Sequence, residues 1–223
     1  MIAIVDVCSG NLRSVERAIA QAGGDVVVTR DPDVVRRADR VVVPGQGAFG
    51  VFMRGLAARG LGEALREAIA SGRPYLGICL GLQVLFDESE ETGAQDRDPA
   101  DAATTVRGLG VLAGRVRKLA PTDRTLKVPH MGWNRVHAPL GAPAVPSVFD
   151  SIANEHVYFV HSFHAVPTDR SIVVLEADHG GPITAAIRSD NLVACQFHPE
   201  KSQGVGLAML ARFVGPAPKG HAP

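Results

Sequence analysis

The apolar positions of this chain follow two patterns. Up to about residue 91, short unbroken apolar runs alternate with stretches of helical period. MIAIVD opens with such a run. NLRSVERAIAQAGG follows, with Leu12, Val15, Ile19 and Ala22 on one helical face and Gly23-Gly24 as its stop. DVVVT and the end of RADRVVVPG are strand-like, and AFGVFMRGLAARGLGEALREAIASG predicts helices broken near Gly60. RPYLGI predicts a strand and LGLQVLFDESEE a helix. Strands apolar throughout, such as residues 41–43, are buried on both faces. Alternating with helices, they imply a parallel sheet covered on both sides, an α/β fold.

The second half has a shorter period. RGLGVLAGRVRKL, HVYFVHSFHAV, SIVVLEAD, ITAAIRS and LVACQF are strand-like runs with turn residues between them, and they predict antiparallel strands added beside the parallel core. GVGLAMLARFV closes the fold as a helix with Val205, Met209 and Phe213 on one side. TGAQDRDPADAATT and the proline-rich APLGAPAVPS read as loops. One domain is expected over 1–214, with 215–223 as a disordered tail.

Composition narrows the function. The 223 residues suffice for one domain with a full core. Lys plus Arg balance Asp plus Glu at 23 each, so no basic field exists to hold nucleic acid. The apolar start is short, carries Asp6 and lacks a cationic leader, so it reads as a first strand. No apolar run approaches the length of a membrane span. Three cysteines, Cys8, Cys79 and Cys195, are too few and too odd for a disulfide framework and fit a reducing cytoplasm.

One of those cysteines stands between glycines. Gly77-Ile78-Cys79-Leu80-Gly81 has the G-x-nucleophile-x-G form at a strand–turn–helix junction. Such an elbow raises the sulfur to the carboxyl edge of the sheet and sets it at a helix N-terminus. The partial positive charge there favours a thiolate, and the Leu80 N–H is left free to bind an oxyanion. A cysteine taken at random is a core filler. Cys195 in LVACQF lacks the glycine context and reads that way; Cys8, just past the first strand, reads as structural.

A thiol nucleophile needs a base. Among eight histidines, His198 in QFHPEKS is the informative one. Proline after it keeps it extended, and in an extended segment Glu200 points the same way and can hold one ring nitrogen, leaving the other for Cys79. His161 and His164 in VHSFH invite a metal reading, but strand alternation would put them on opposite faces. VVVPGQGAFG supplies a glycine turn after a strand. Its Gln46 or Gly47 amide is a candidate second oxyanion donor.

Taken together, PGQGAFG, GICLGLQ and FHPE, in that order along nearly the whole chain, resemble the class I glutamine amidotransferases, which have a flavodoxin-like fold. Cys79, His198 and Glu200 match that family's catalytic triad. Gln83 matches its elbow-helix residue that contacts the amino-acid end of glutamine. SGNLRSV, GLGVLAGRV, VPHMGWN and VYFVHSFH are similar to the glutaminase subunits of imidazole glycerol phosphate synthase, of histidine biosynthesis. The resemblance runs from residue 1 to about 213. It implies hydrolysis of L-glutamine through a Cys79 thioester, with oxyanion stabilisation by the Leu80 amide and the Gln46–Gly47 turn. Gly45, Ser162 and Phe163 would join Gln83 in the substrate site. No cofactor or metal is implied. The ammonia would pass to a (βα)8-barrel cyclase partner contacted by Asn11, by the segment around Trp133 and by Lys201.

Three features depart from that family's pattern. Its first loop often reads D-Y-G-x-G-N, where this chain has Asp6-Val7-Cys8-Ser9-Gly10-Asn11. Its glycine turn often reads P-G-V-G, where Gln46 replaces the valine. TGAQDRDPADAATT stands as an inserted loop.

Overall fold

A computed structural model describes residues 1–7, 12–93, 105–141 and 147–215. Asn11, Cys8, most of the inserted loop, part of the proline-rich segment and the tail from 216 lie outside the described residues.

The first half folds as its pattern predicts. Strands β1 (Ile2–Val5), β2 (Val26–Thr29), β3 (Arg40–Gly45) and β4 (Tyr75–Cys79) are parallel. Helices α1 (Leu12–Gln21), α2 (Pro32–Arg37), α3 (Phe49–Ala58) and α4 (Leu61–Ala70) connect them. Helix α2 was not apparent in the apolar pattern. It is short, opened by Asp31, whose side chain accepts from Asp33 N–H, and by Pro32 in its first turn.

After β4 the structure corrects the expected long helix. Helix α5 covers only Leu80–Gln83, and Phe86–Ser89 is strand β5. Its residues pair with β6 (Val106–Arg107) on one side and β7 (Leu112–Lys118) on the other. Pairing on both edges, with Phe86 fully buried, outweighs the helical period of LGLQVLFDESEE.

The remaining strands are β8 (His130–Arg135), β9 (His156–His161), β10 (Phe163–Pro167), β11 (Val173–Asp178), β12 (Pro182–Ser189) and β13 (Leu192–Cys195). Helix α6 (Gln203–Val214) follows them. HVYFVHSFHAV is two strands rather than one run. The chain breaks at Ser162, so β9 pairs with β8 while β10 pairs with β7 in a different sheet.

The central sheet has the order β11-β12-β13-β4-β3-β1-β2. It is parallel from β2 to β13 and antiparallel beyond, with β4 in its middle. Alternate residues of one strand enter opposite cores. Ala3, Val5, Val41, Val43 and Tyr75 pack with α2, α3 and α4; Ile2, Ile4, Val42, Leu76 and Ile78 pack with α1 and α6. Burial of Met209 and Phe213 of α6 in the second core is worth about 1.5–3 kcal/mol each. The reversal of strand order between β1 and β3 opens the carboxyl edge of the sheet, where such folds bind their ligands.

Candidate active site

Cys79 ends β4 and stands immediately before α5, with φ 55° and ψ −105°. This left-handed region costs a non-glycine residue about 1–3 kcal/mol, and the neighbours enforce it. A Cβ on Gly77 would meet the carbonyl of Gly81, and one on Gly81 would meet the carbonyl of Val43. One on Gly45 would meet Leu80 Cβ and, at 2.9 Å, the Phe52 ring. The Tyr75 hydroxyl, buried beneath the elbow, donates to Gly81 O at 2.7 Å. Leu80 opens α5, where a backbone N–H has no intrahelical acceptor. The helix is only four residues long, however, so its dipole is weaker than the sequence suggests.

His198 follows β13, extended as Pro199 requires, with φ −105° and ψ 96°. Its Nδ1 lies 2.8 Å from Glu200 Oε1, and both side chains are buried. The route differs from the expected alternation. Residues Pro199–Lys201 form a 3-10 turn that swings the carboxylate back under the ring. Its other nitrogen, Nε2, is buried and makes no hydrogen bond among the described residues. Burial opposes the imidazolium, but Cys79 and then Glu200 outweigh it and hold the His198 pKa up at about 9. Gly206 of α6 brings that helix against the Pro199 carbonyl, where any Cβ would collide.

The cysteine and histidine open into one cavity of about 420 Å³. Gln46 and Gly47, with Gly47 at φ +96°, line it together with Leu80, Gln83, Ser162 and Phe163, as do Lys201 and Pro129. Gly45 is buried at the end of β3 and is not among the lining residues; it lets the loop pass close over Leu80. Glu91, which the sequence did not single out, is the one carboxylate among the described residues that line the cavity. Its Oε2 accepts from Phe49 N–H at 3.0 Å, and burial raises its pKa.

The match to known proteins covers this whole architecture. The model for Glutamine amidotransferase class-I matches residues 3–215. The chain belongs to the class-I glutamine amidotransferase family. It is 46% identical over 219 residues to the imidazole glycerol phosphate synthase subunit HisH of Syntrophotalea carbinolica, covering 96% of this chain and 98% of that one. Against the same subunit of Methanothermobacter thermautotrophicus it is 45% identical over 214 residues, covering 96% and 98%. A solved structure described as a glutamine amidotransferase superposes with TM-score 0.68 at 17% identity over 96% of this chain and 99% of that one. The structure of PurLQS from Thermotoga maritima does so with TM-score 0.67 at 17% identity, over 96% of each chain.

In this class-I amidotransferase two buried glutamines connect the cavity wall to the thiol. Gln83 Nε2 donates to Phe163 O and to Gln196 Oε1, both at 2.9 Å, and Gln196 Nε2 donates to Cys79 Sγ at 3.4 Å. Gln196 was not singled out in the sequence. Its signal is its place two residues before His198, on the first step beyond β13.

Two histidines outside the triad, His161 and His130, also form a directed chain. Phe163 O is an acceptor only, so His161 Nδ1 donates to it, at 2.9 Å. Neutral His161 then accepts at Nε2 from His130 Nδ1 at 3.0 Å, and His130 Nε2 accepts from Asn134 Nδ2 at 3.1 Å. Burial drives the His161 pKa down to about 3 and that of His130 to about 4, which keeps both neutral. His161 lines the cavity, whereas His164, on a separate strand and sheet, does not. No group of three or more metal-ligating side chains is found among the described residues.

Toward the surface, Lys201 Nζ lies 5.6 Å from the Tyr158 ring centroid, and Tyr158 meets Trp133 edge-on at 6.0 Å. Trp133 and Met131, on the same face of β8, remain 48% and 62% exposed. Such an apolar pair on an otherwise polar strand is unusual for a free surface. Cys195 is fully buried and donates to Phe197 O at 3.4 Å; burial pushes its pKa well up, in keeping with a core residue.

Proposed function

We propose that this chain is the glutaminase subunit of imidazole glycerol phosphate synthase, working in the cytoplasm beside a (βα)8-barrel cyclase. The observation that carries the reading is the convergence of Cys79 and His198 on one cavity at the carboxyl edge of a parallel sheet, with the buried Glu200 held on the histidine behind it. The 44–46% identity with full-length HisH subunits supports the pathway assignment.

The Cys79 thiolate attacks the side-chain amide carbon of L-glutamine, and the carbonyl electron pair moves onto oxygen. The Leu80 N–H and an amide of the Gln46–Gly47 turn stabilise that oxyanion. His198 gives its proton to the departing nitrogen, ammonia leaves and a thioester remains. His198 then takes a proton from water, which attacks the thioester and releases glutamate. Glu200 holds the imidazole in the tautomer that keeps Nε2 toward the sulfur. Gln83, Ser162 and Phe163 form the glutamine site, with Gly45 shaping the turn behind it and the half-buried Glu91 carboxylate as the partner for the substrate ammonium.

The partner docks over Trp133, Lys201 and Asn11, and receives the ammonia. Exposed Trp133 and Met131 supply the apolar centre such an interface needs. The test is ammonia release from glutamine with and without the cyclase and its nucleotide ligand. We expect turnover stimulated by the liganded cyclase and abolished in Cys79→Ala, which still binds the partner. A Cys79→Ala chain as active as the parent would sink the reading. Trp133→Ala should weaken the complex about 30-fold or more without altering the fold of the free subunit.

A further inference from the structure

His198 supports the sulfur by its charge, and the other supports at the elbow are few. Helix α5 is a single turn, and His198 Nε2 makes no hydrogen bond to the thiol. The side-chain hydrogen bond that does reach Cys79 comes from Gln196 Nε2, at 3.4 Å.

Ordinarily the two ends of a glutamine amide are interchangeable in outline, and a sulfur contact alone would not say which end faces it. Here the surroundings decide. The Phe163 carbonyl can only accept, so the group of Gln83 that meets it is the NH2. The same Nε2 also reaches Gln196, so the Gln196 atom facing it is the oxygen. The Gln196 NH2 is thereby turned to the sulfur. Gln196 is fully buried, and its backbone N–H is fixed on Ala185 O at 2.9 Å, so the side chain starts from a rigid base.

We propose that Gln196 is a positioning residue for the nucleophile: its side-chain N–H holds the Cys79 sulfur and favours the thiolate, in an orientation imposed from Phe163 O through Gln83. The inference rests on the reading of Cys79 as the nucleophile and deepens it. A donor fixed on sulfur stabilises the anion more than the neutral thiol, because hydrogen bonds to charged acceptors are the stronger ones. The orienting carbonyl also belongs to the cavity wall, so contacts made there bear on the thiol through two amides.

The test is alkylation of the full chain by iodoacetamide across pH, without glutamine or partner, following the Cys79 peptide by mass spectrometry. Two quantities separate the roles. The plateau rate at high pH reports access, whereas the titration midpoint reports thiolate stability. In Gln196→Met the midpoint should rise by about one unit, so that alkylation at pH values below the midpoint slows about tenfold with the plateau kept. Gln196→Glu, which turns an acceptor toward the sulfur, should raise it at least as far. Gln83→Met leaves Gln196 in place but frees its amide to turn, and should raise the midpoint by a smaller amount. An unchanged midpoint in folded Gln196→Met overturns the proposal. If the Gln196 variants do not fold, an unchanged midpoint in Gln83→Met does so. Because no glutamine is involved, this result is independent of the ammonia assay that tests the glutaminase reading itself.

Discussion

The backbone N–H of His198 donates to the carbonyl of Tyr158 at 2.9 Å, so the triad histidine is strapped to the strand that carries the Trp133 contact. Ser202 closes the strap. Its hydroxyl accepts from Tyr158 N–H at 3.0 Å and donates to His198 O at 2.7 Å, and the residue is fully buried.

Ser202→Ala should therefore loosen the base without touching substrate. It leaves the Tyr158 N–H without its partner, at a cost of about 1–3 kcal/mol, while His198 O keeps the Lys201 N–H. The expected outcome is a kcat at least tenfold lower with KM nearly unchanged, read in a glutaminase assay alongside a thermal melt. A KM effect without a kcat effect would mean that the strap serves substrate binding instead.

The backbone of Cys79 leads to a second, less intuitive expectation. Glycine usually destabilises relative to alanine, but at φ 55° and ψ −105° any side chain is strained. Cys79→Gly should thus be more stable than Cys79→Ala by about 1 kcal/mol, though both are inactive. Urea midpoints of the two variants decide it, and a less stable glycine variant would show that the elbow carries no strain.

How much of this was legible beforehand follows from what each residue needs in order to be seen. Cys79 and its glycines announce themselves because the steric demands of the elbow are local: Gly77 and Gly81 pack within their own turn and against the next strand. His198 and Glu200 are legible because proline fixes the local backbone, although the 3-10 turn that joins them is not. Strand β5 was hidden because its edges are filled by distant segments, which no local period records. Gln196 and Glu91 were hidden for a related reason: their hydrogen-bond partners lie 117 residues away at Cys79 and 42 away at Phe49. The segment around Trp133 stands in the sequence only as a contact region; its pairing with β9 is not visible there, because the partner strand begins more than twenty residues on.

The charge state of His198 sets the alkaline side of the rate profile. Its pKa stands at about 9 in the folded chain, so it holds the proton that ammonia must receive throughout the neutral range. The turnover number should fall as pH rises through about 9. Glu200→Gln removes one of the two interactions that raise the value, and should move that limb down by about one unit as well as slowing turnover. An alkaline limb that stays put in the variant would detach Glu200 from the protonation of the base.

The other histidines set stability on the acid side. In the unfolded chain each takes up a proton near its ordinary 6.5, but in the folded chain His161 resists to about 3, and His130 and His164 to about 4. Below pH 6.5 the unfolded state therefore binds more protons, and stability falls as pH falls. The structural reason is specific for His161. Nδ1 donates to Phe163 O and Nε2 accepts from His130, so a proton on Nε2 would set two N–H groups face to face. His198 has the opposite sign: its raised pKa contributes stability in full below 6.5, which is lost as pH rises toward 9. The two effects place the stability maximum near pH 6.5. Between pH 6.5 and 5 the loss should be about 2 kcal/mol or more, measured as a shift in the urea midpoint. His130→Asn should flatten that slope, because it removes one of the three histidines that must be kept neutral. A midpoint constant from pH 6.5 to 5 would mean that the buried chain can be protonated in place.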